Sequence, residues 1–351
     1  MIVSIVSPCC DEFKHIDSFL RAVTQQQTTD FDLEILIAEG GSKDGTAEVL
    51  AAWRAKESRI TVVPNPSRIV STGLNAAIRI ARGEIIVRMD AHTEYAEDYV
   101  AQCVRALKQS GATCVGGPWL AKGSSLRQAA IAAAFNSPFG CGGAKSRRTD
   151  YTGPIDTVYL GTWWRRDLIA FRGFDESLVR DQDDELCLRI TRSGGTIWQS
   201  AAIRSFYLPR GTFSGLWRQF YEYGYWKAAV IKKYGAPSSI RQLVPTIFIA
   251  LLAMLTIVGL FVPSLRLTGL ALLTVYVGAA IFGALVASES HRPASLFFVL
   301  LSFICMHSAY GTGFGHGVLD FLMFGRRPRP DSWTVLARSE TPNTPRFRRK
   351  S

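Results

Sequence analysis

Three long stretches of the sequence lack charged side chains, and they constrain the fold more than any other feature. No charged residue occurs from Gln242 to Leu265 or from Leu267 to Ser288, and histidines are the only acidic or basic residues from Pro293 to Leu319. A helix crosses a hydrocarbon core of about 30 Å with about 20 residues, so each stretch is long enough. The sequence therefore predicts a membrane region over residues 231–325, with hydrophobic segments at 242–265, 267–288 and 293–319.

The first 230 residues contain no such stretch and are predicted to form one soluble domain. The seven cysteines are odd in number and form no Cys-x-x-Cys pair, which argues against a disulfide framework or a zinc site and fits a reducing compartment. The apolar start, residues 1–8, is too short for a signal sequence and lacks its basic residues. We therefore expect this domain to stay in the cytoplasm.

Residues 326–351 form a basic tail with eight basic and two acidic side chains. Beside membrane segments, such a tail predicts contact with anionic membrane lipid at the cytoplasmic face, although a solvated, disordered end is also compatible. Nucleic acid is not an expected partner, because no aromatic and basic platform accompanies the charge. Three crossings would place the tail outside. Either residues 293–324 bend back at their glycines, or one stretch lies in the interface.

The first 120 residues alternate between strand and helix patterns. Five strand-like runs occur, at Ile2–Ser7, Leu33–Ala38, Ile60–Val63, Glu84–Met89 and Thr113–Gly117. Apolar residues at helical spacing separate them, which predicts an α/β fold with a parallel sheet covered by helices on both faces. Ligands bind beyond the carboxyl ends of such strands. The loops at that edge are residues 8–12, 39–44, 65–68 and 90–94.

Four motifs occur in order over residues 2–230, and they carry a family resemblance. The motifs are Val3–Glu12, Glu34–Thr46, Ala81–His92, and Gly173–Glu176 followed by Asp183–Leu186. They resemble the inverting family-two glycosyltransferases, which have the GT-A fold, a Rossmann-like fold that binds nucleotide-diphospho-sugars. Within that family the chain is similar to the succinoglycan-biosynthesis enzymes of the ExoA type, through Met89–His92, Asp156–Gly161, Asp181–Leu186 and Tyr223–Lys227.

The resemblance implies a nucleotide-sugar site and a UDP-sugar donor. Pro8, Glu12, Glu39 and Asp44 match the nucleotide-binding positions of the family, and Arg68 lies in a loop that the family uses near the nucleotide. The family usually has Asp where Glu39 stands. Taken alone, Asp44 would be a turn and helix-cap residue.

The Asp-x-Asp metal motif of the family corresponds here to Asp90-Ala91-His92. The resemblance implies that Asp90 contacts the metal or the ribose and that His92 contacts the metal or a phosphate. A carboxylate with an imidazole suits Mn²⁺ at least as well as Mg²⁺. We therefore expect a divalent cation, Mn²⁺ or Mg²⁺, which would stabilise the leaving diphosphate. The alternative for His92 is a surface histidine.

An inverting transfer needs a base that takes the proton of the acceptor hydroxyl. Asp183 matches the base of the family, and Asp184 takes that role if the register shifts by one. Gln182 replaces the usual Glu. Like-charge repulsion from Asp184 and Glu185 is expected to raise the proton affinity of Asp183. The alternative is that these acids only stabilise the first turn of a helix.

Two further positions bear on the acceptor. Processive polymerases of the family carry Gln-x-x-Arg-Trp, and the corresponding stretch here, Glu222–Trp226, lacks the Arg. That difference favours addition of a single sugar, and we expect Trp226 to line the acceptor groove. The ExoA type is expected to have a histidine before Pro209, where this chain has Leu208.

The sequence therefore predicts a membrane-bound inverting glycosyltransferase that moves a sugar, with glucose as the leading expectation, from a UDP-sugar to a polyprenyl-diphosphate-linked saccharide. The product would enter exopolysaccharide or surface-glycan biosynthesis. We expect a multi-pass protein of the inner membrane with its catalytic domain facing the cytoplasm. One alternative is transfer to polyprenyl phosphate. Another is a catalytically silent, nucleotide-sugar-binding subunit that scaffolds polysaccharide-assembly proteins.

Overall fold

The computed structural model describes residues 1–28, 30–237, 239–288 and 292–326. Apart from Arg326, the predicted basic tail lies outside the described residues. The strands are β1 (Ile2–Cys9), β2 (Asp32–Glu39), β3 (Ile60–Pro64), β4 (Ile85–Arg88), β5 (Thr93–Tyr95), β6 (Cys114–Gly117), β7 (Leu120–Ala121), β8 (Gly153–Pro154), β9 (Tyr159–Trp164), β10 (Ile197–Gln199) and β11 (Ser205–Tyr207).

Helices alternate with the first strands and then form the whole C-terminal third. They are α1 (Ile16–Thr24), α2 (Thr46–Arg54), α3 (Val70–Ile80), α4 (Tyr99–Ser110), α5 (Leu126–Asn136), α6 (Pro138–Cys141), α7 (Arg165–Ala170), α8 (Gln182–Arg192), α9 (Phe213–Tyr234), α10 (Val244–Gly259), α11 (Pro263–Ala287) and α12 (Pro293–Gly317). A π-helical turn, Val318–Met323, continues directly from α12.

The main sheet has eight strands in the order β3-β2-β1-β4-β9-β6-β10-β8. Strands β1 to β4 are parallel, but β9 runs antiparallel to both β4 and β6. The five strands predicted within residues 1–120, which are β1, β2, β3, β4 and β6, therefore run in one direction as expected, and β9 is an antiparallel strand inserted between β4 and β6. Strand β9 follows the irregular segment 142–158 instead of a crossover helix, so its direction is free to reverse. Strands β5, β11 and β7 form a separate small sheet.

Helices cover both faces of the main sheet, as predicted. Along β2, Ile35 and Ile37 lie in one hydrophobic core, whereas Leu36 lies in the other. Because both faces are covered, the inner strands carry apolar residues on both faces and do not show a regular alternation of apolar and polar residues. This arrangement leaves the carboxyl-end loops as the open edge of the sheet.

Three helices are long and apolar enough to cross a membrane, in agreement with the three predicted segments: Ile240–Gly259, Pro263–Ala287 and Pro293–Met323. Of the two alternatives for the third segment, a bend at its glycines is not seen, because α12 runs continuously to Gly317. Its glycines serve close packing instead. A methyl group at Gly313 would collide with the carbonyl oxygen of Tyr221, and one at Gly317 with that of Tyr225.

Side chains from both sides of the predicted domain boundary at residue 230 pack together in one hydrophobic cluster. One buried cluster combines Phe135 of α5 and Phe220 of α9 with Val299, Phe303 and Met306 of α12. The third apolar helix therefore packs against helices of the N-terminal domain, a relationship that the hydropathy pattern alone does not reveal.

Candidate active site

Hydrogen bonds tie the loop after β1 to the loop after β2. The backbone N–H of Phe13 donates to Oδ2 of Asp44 (2.9 Å), and that of Glu12 donates to Oγ1 of Thr46 (2.9 Å). Burial works to raise the pKa of Asp44, but hydrogen bonds from Thr46 and Phe13 outweigh it and leave that pKa below its ordinary value. Asp44 therefore shapes the turn before α2 and fixes the backbone of Phe13, while Thr46 fixes that of Glu12.

Glu39 stands at the end of β2 and organises the next loop. Its Oε2 accepts from the N–H of Gly41 (2.8 Å) and its Oε1 from the N–H of Ser42 (2.6 Å). Burial works to raise the pKa of Glu39, but these hydrogen bonds and the charge of Arg68 hold it below the ordinary value. An ionised carboxylate has about four acceptor sites, so Glu39 keeps capacity for a ligand hydroxyl.

Arg68 closes this edge of the sheet. Its Nη1 donates to the carbonyl of Gly41 (3.0 Å), and its Nη2 donates to Oδ2 of Asp11 (2.9 Å). Arg68 and Asp11 both have left-handed backbone angles, with φ of 58° and 55°. Such strain in non-glycine residues often accompanies ligand sites. The structure thus gathers five of the predicted nucleotide-binding residues along the ends of β1, β2 and β3: Pro8, Glu12, Glu39, Asp44 and Arg68.

His92 lies beside this group. Its Nδ1 is 3.4 Å from Oε1 of Glu12, and its ring meets the ring of Tyr207 edge-on at 5.8 Å between centroids. The backbone N–H of Leu208 donates to the carbonyl of His92 (3.3 Å). Leu208, which stands where a histidine was expected, therefore does lie next to the predicted metal position.

Arg88, at the end of β4, links the predicted donor and base residues. Its Nε and Nη2 donate to the two carboxylate oxygens of Asp90 (2.9 and 2.8 Å), and its Nη1 contacts Oδ1 of Asp183. The Arg88 side chain is almost fully buried. The two predicted functional carboxylates are therefore held by one guanidinium.

Asp183 lies in the first turn of α8 with 36% of its side chain exposed, so an acceptor has access to it. Burial, together with the negative charges of Asp90 and Asp184, raises the pKa of Asp183 above its ordinary value, although Arg88 opposes the shift. A carboxylate with a raised proton affinity is better suited to act as a general base near neutral pH.

Asp184 has a different environment, because it pairs with a buried lysine. Nζ of Lys227, on α9, contacts Asp184 and lies 3.4 Å from Oδ2 of Asp181. Oγ1 of Thr157 also donates to Asp184 (2.9 Å). Burial works to raise the pKa of Asp184, but Lys227 and Thr157 hold it below the ordinary value. This environment makes Asp184 a weaker proton acceptor than Asp183.

The residues present fit a divalent cation only in part. Within the described ranges, no group of three or more His, Cys, Asp and Glu side chains could hold a metal ion. Asp90 is engaged by Arg88, which leaves His92 and Glu12 as the freer donors. Cations at phosphate sites commonly use one or two protein ligands and take the others from substrate phosphates and water. The donor set therefore fits a cation that is bound mainly through a diphosphate.

Trp226 is fully buried and does not face the site. Its ring packs on Tyr225 and Phe321, at centroid distances of 5.8 and 6.2 Å. An acceptor therefore has no access to the indole in this structure, and the predicted acceptor contact has no geometric support. Its neighbour Lys227 is the residue of this motif that reaches Asp181 and Asp184.

Arg88 and Lys227 were not among the predicted site residues. The sequence could have indicated Arg88, because it is the only charged residue in the buried strand β4 and a buried charge needs a partner. Lys227 is separated from Asp184 by 43 positions, so its contact depends on how α9 packs against α8.

Residues 4–168 match the protein family described as glycosyl transferase family 2. Over 333 residues the chain is 31% identical to the succinoglycan biosynthesis protein ExoA of Rhizobium meliloti, a match that covers 90% of this chain and 95% of that protein. The chain belongs to glycosyl transferase family 2. The predicted family and the predicted glycosyltransferase activity are thereby confirmed.

Two further comparisons place this family-two glycosyltransferase more broadly. It is 25% identical, over 74% of its length and 83% of the other chain, to a dolichyl N-acetyl-alpha-D-glucosaminyl phosphate 3-beta-D-2,3-diacetamido-2,3-dideoxy-beta-D-glucuronosyltransferase of Methanococcus voltae. The mannosyltransferase PcManGT from Pyrobaculum calidifontis, solved with GDP-Man and Mn²⁺, superimposes with a TM-score of 0.56 at 19% identity, covering 88% of this chain and 86% of that one. The latter likeness confirms the GT-A fold.

Proposed function

We propose that this glycosyltransferase moves a hexose, with glucose as the first candidate, from a UDP-sugar to a lipid-linked saccharide in the biosynthesis of an exopolysaccharide or another surface glycan. The match to a succinoglycan biosynthesis protein over nearly the whole length of both chains supports the pathway class. The observation that carries the mechanism is the contrast between Asp183, which is partly exposed and has a raised pKa, and Asp184, whose charge is neutralised by Lys227.

The nucleotide would bind along the ends of β1, β2 and β3. Glu39 offers acceptor sites for ribose hydroxyls, and Arg68 contributes positive charge at the same edge. Glu12, His92 and Asp90 would hold a divalent cation together with the diphosphate. When bound, that cation neutralises the charge that develops on the leaving diphosphate.

Asp183 would act as the general base. It would accept the proton of the acceptor hydroxyl while the hydroxyl oxygen bonds to the anomeric carbon and the bond to the diphosphate breaks on the opposite face. Arg88 would hold the carboxylate of Asp183 in place. Because attack and departure occur on opposite faces, the configuration at the anomeric carbon would be inverted.

The membrane region would bring the catalytic domain to its lipid-linked acceptor. Three helices are long and apolar enough to cross a membrane. We propose the inner membrane as the location and the cytoplasm as the side of the catalytic domain, where UDP-sugars are made and where the seven free cysteines would stay reduced.

A second candidate is a nucleotide-sugar-binding subunit without transfer activity. The observation that favours it is the bidentate pairing of Asp90 with Arg88, which occupies both oxygens of the first residue of the metal motif. Under this alternative the protein would bind UDP and would not turn over.

The test is UDP release by the purified, detergent-solubilised protein over a panel of UDP-sugars, with Mn²⁺, Mg²⁺ or EDTA, and with or without a native lipid extract. The proposal predicts release with one donor, dependent on cation and increased by lipid. A product extracted with lipid that carries one sugar and one phosphate would instead identify polyprenyl phosphate as the acceptor. UDP binding without release from any donor would favour the silent subunit.

A further inference from the structure

We propose that α12 does not cross the membrane but lies along the catalytic domain, with its outer apolar face in the leaflet of anionic lipid on that side. The chain would then cross twice, through α10 and α11, and its basic tail would begin on the side of the catalytic domain. This inference rests on the proposed membrane location and is independent of transfer activity.

The three apolar helices differ in how much the protein covers them. In the most apolar part of each candidate span, 11% of residues are buried for Ile240–Gly259, 17% for Pro263–Ala287 and 44% for Pro293–Met323. A helix that meets lipid on most sides stays largely uncovered by its own chain, as the first two do. The third is covered more fully, by the catalytic-domain helices and also by α10 and α11, since Oη of Tyr276 lies 3.1 Å from Nδ1 of His307 and Gly311 packs against Pro245.

Catalytic-domain helices accompany α12 along its length. Near its start, Val299 and Phe303 share a buried cluster with α5, and Nε2 of His307 lies 3.0 Å from the carbonyl oxygen of Phe139 on α6. Near its end, Phe321 packs on Tyr225 of α9 with 4.8 Å between ring centroids. One face of α12 and of the π-helical turn, from about position 299 to 321, therefore lies against the catalytic domain.

Helix α9, which packs against α12, contributes charged side chains to the candidate active site. On α9, Lys227 is buried between Asp181 and Asp184, and Glu222 accepts a 2.8 Å hydrogen bond from Arg180. Ion pairs of this kind are costly in hydrocarbon. Since α12 runs beside α9, a path of α12 through the bilayer would carry these groups towards the hydrocarbon.

By contrast, α10 and α11 form a hairpin whose two ends meet the catalytic domain. At its start, Arg241 pairs with Asp156 at 2.7 Å. Towards its end, Gly283 is packed so closely that a methyl group there would lie 3.1 Å from Cβ of Phe139. At the tip, Phe261 is 81% exposed. A hairpin with this shape would cross the membrane through α10 and return through α11. The chain would then begin α12 on the same side of the membrane as the catalytic domain.

The uncovered face of α12 is apolar and leads into the basic tail. Exposed large side chains on this helix and the π-helical turn are Phe297, Ile304, Leu319, Leu322 and Met323. Eight basic residues follow within 326–351. An apolar stripe followed by clustered Lys and Arg is typical of a segment that lies in an anionic membrane surface. Two crossings also satisfy the positive-inside rule, which three crossings would violate.

The side of the tail can be tested in the full-length chain. One epitope tag would follow Ser351, a second would be inserted between Phe261 and Val262, and a third would precede Met1. Each would be probed with protease in sealed inverted and right-side-out membrane vesicles. We expect the two terminal tags to be cut in the same vesicle type and the hairpin tag in the other. Cleavage of the terminal tags in opposite vesicle types would overturn the proposal.

The position of α12 in the leaflet needs a second measurement. Nitroxide labels at Phe297→Cys, Ile304→Cys and Leu319→Cys would be compared by collisional accessibility to oxygen and to a water-soluble relaxer, in vesicles with anionic lipid. A Leu270→Cys label, exposed and placed on α11 between the hairpin tip and Tyr276, is the control for a deep position, because Tyr276 itself still contacts His307 of α12. The half-buried Cys10 and Cys141 would first be replaced by Ser, the other five cysteines being buried.

We expect the three α12 labels to report similar, shallow depths and the α11 label a deep one. Positions 297 and 319 are about 33 Å apart along a helix, so a crossing helix would place them near opposite surfaces with position 304 deeper. That profile would overturn the inference. So would low accessibility to both relaxers at all three sites, which would mean that a second copy or another protein covers the face. Neither readout needs catalysis, so failure here is distinguishable from failure of the proposed transfer.

Discussion

Arg88 and Asp90 form a buried bidentate ion pair, with N–O distances of 2.9 and 2.8 Å. The third guanidinium nitrogen of Arg88 contacts Asp183. One side chain thereby joins the residue of the predicted metal motif to the predicted base. The end of β4 thus has two functions, since it presents Asp90 at the edge of the sheet and it holds the first turn of α8 against that edge.

Replacement of this arginine should destabilise the protein and shift its pH profile. Arg88→Met leaves two carboxylates without their cation, and breaking a buried pair costs about 3–5 kcal/mol. Loss of the positive charge raises the pKa of Asp183 further, so the acid limb of kcat/KM should move to higher pH. Thermal unfolding in detergent and a pH series of UDP release would measure both effects.

The matched control is Arg21→Met, which removes an exposed pair with Asp17. Such pairs are worth about 0–1 kcal/mol, so its Tm and pH profile should change little. If Arg88→Met behaved like the control, the proposed link between Asp90 and Asp183 would be wrong.

Asp181 should make stability depend on pH. Burial raises the pKa of Asp181 to about 7, even though Lys227 opposes the shift. An unfolded Asp titrates near pH 3.9, so the folded state binds the proton more tightly and this residue costs stability as pH rises from about 4 to about 7. Asp181→Asn removes that cost. The Tm of the variant relative to the wild type should therefore rise across this interval, and an unchanged difference would contradict the raised pKa.

The positive charge of Lys227 should affect both the stability of the protein and the pKa of Asp183, the proposed base. Lys227→Met leaves Asp181 and Asp184 unpaired in a buried site, with an expected loss of about 3–5 kcal/mol. The remaining negative charge should also raise the pKa of Asp183 and move the acid limb of kcat/KM to higher pH. Lys227→Arg keeps the charge and should retain the limb near its wild-type position. Equal pH profiles for the two variants would show that Lys227 acts only through packing.

The close packing of α9 and α12 predicts opposite effects for two nearby glycines. Gly313→Ala places a methyl group against the carbonyl oxygen of Tyr221, and overpacking of this kind costs about 1–3 kcal/mol. Gly315→Ala meets no atom within 4 Å and should stabilise the helix slightly. Thermal unfolding in one detergent would compare them. A similar Tm for both would mean that α12 does not pack on α9 in solution.

The sequence predicts local features of this molecule better than its long-range contacts. Apolar runs located the first strands to within a residue or two, and the loop residues Glu12, Glu39 and Asp44 meet at the edge where parallel strands end. The direction of β9 was not predictable, because a strand that follows an irregular segment carries no directional signal.

The site was predictable where chemistry follows from neighbours in the sequence. The raised pKa of Asp183 follows in part from Asp184, its neighbour in the chain. The neutralisation of Asp184 by Lys227 does not, since it needs α9 to pack against α8. The position of Trp226 was not predictable either. The motif match suggested a contact with the acceptor, but a motif match gives no information on burial, and the indole lies in the core.

The central claim is that Asp183 is the base of a sugar transfer, and its most direct test combines turnover with binding. Asp183→Asn and Asp184→Asn would be compared with the wild type for single-turnover transfer from the active UDP-sugar and for UDP affinity by calorimetry. We expect Asp183→Asn to lose about 10²–10⁴-fold in rate with UDP affinity unchanged, and Asp184→Asn to lose less. Wild-type turnover by Asp183→Asn, or a larger loss with Asp184→Asn, would contradict the assignment.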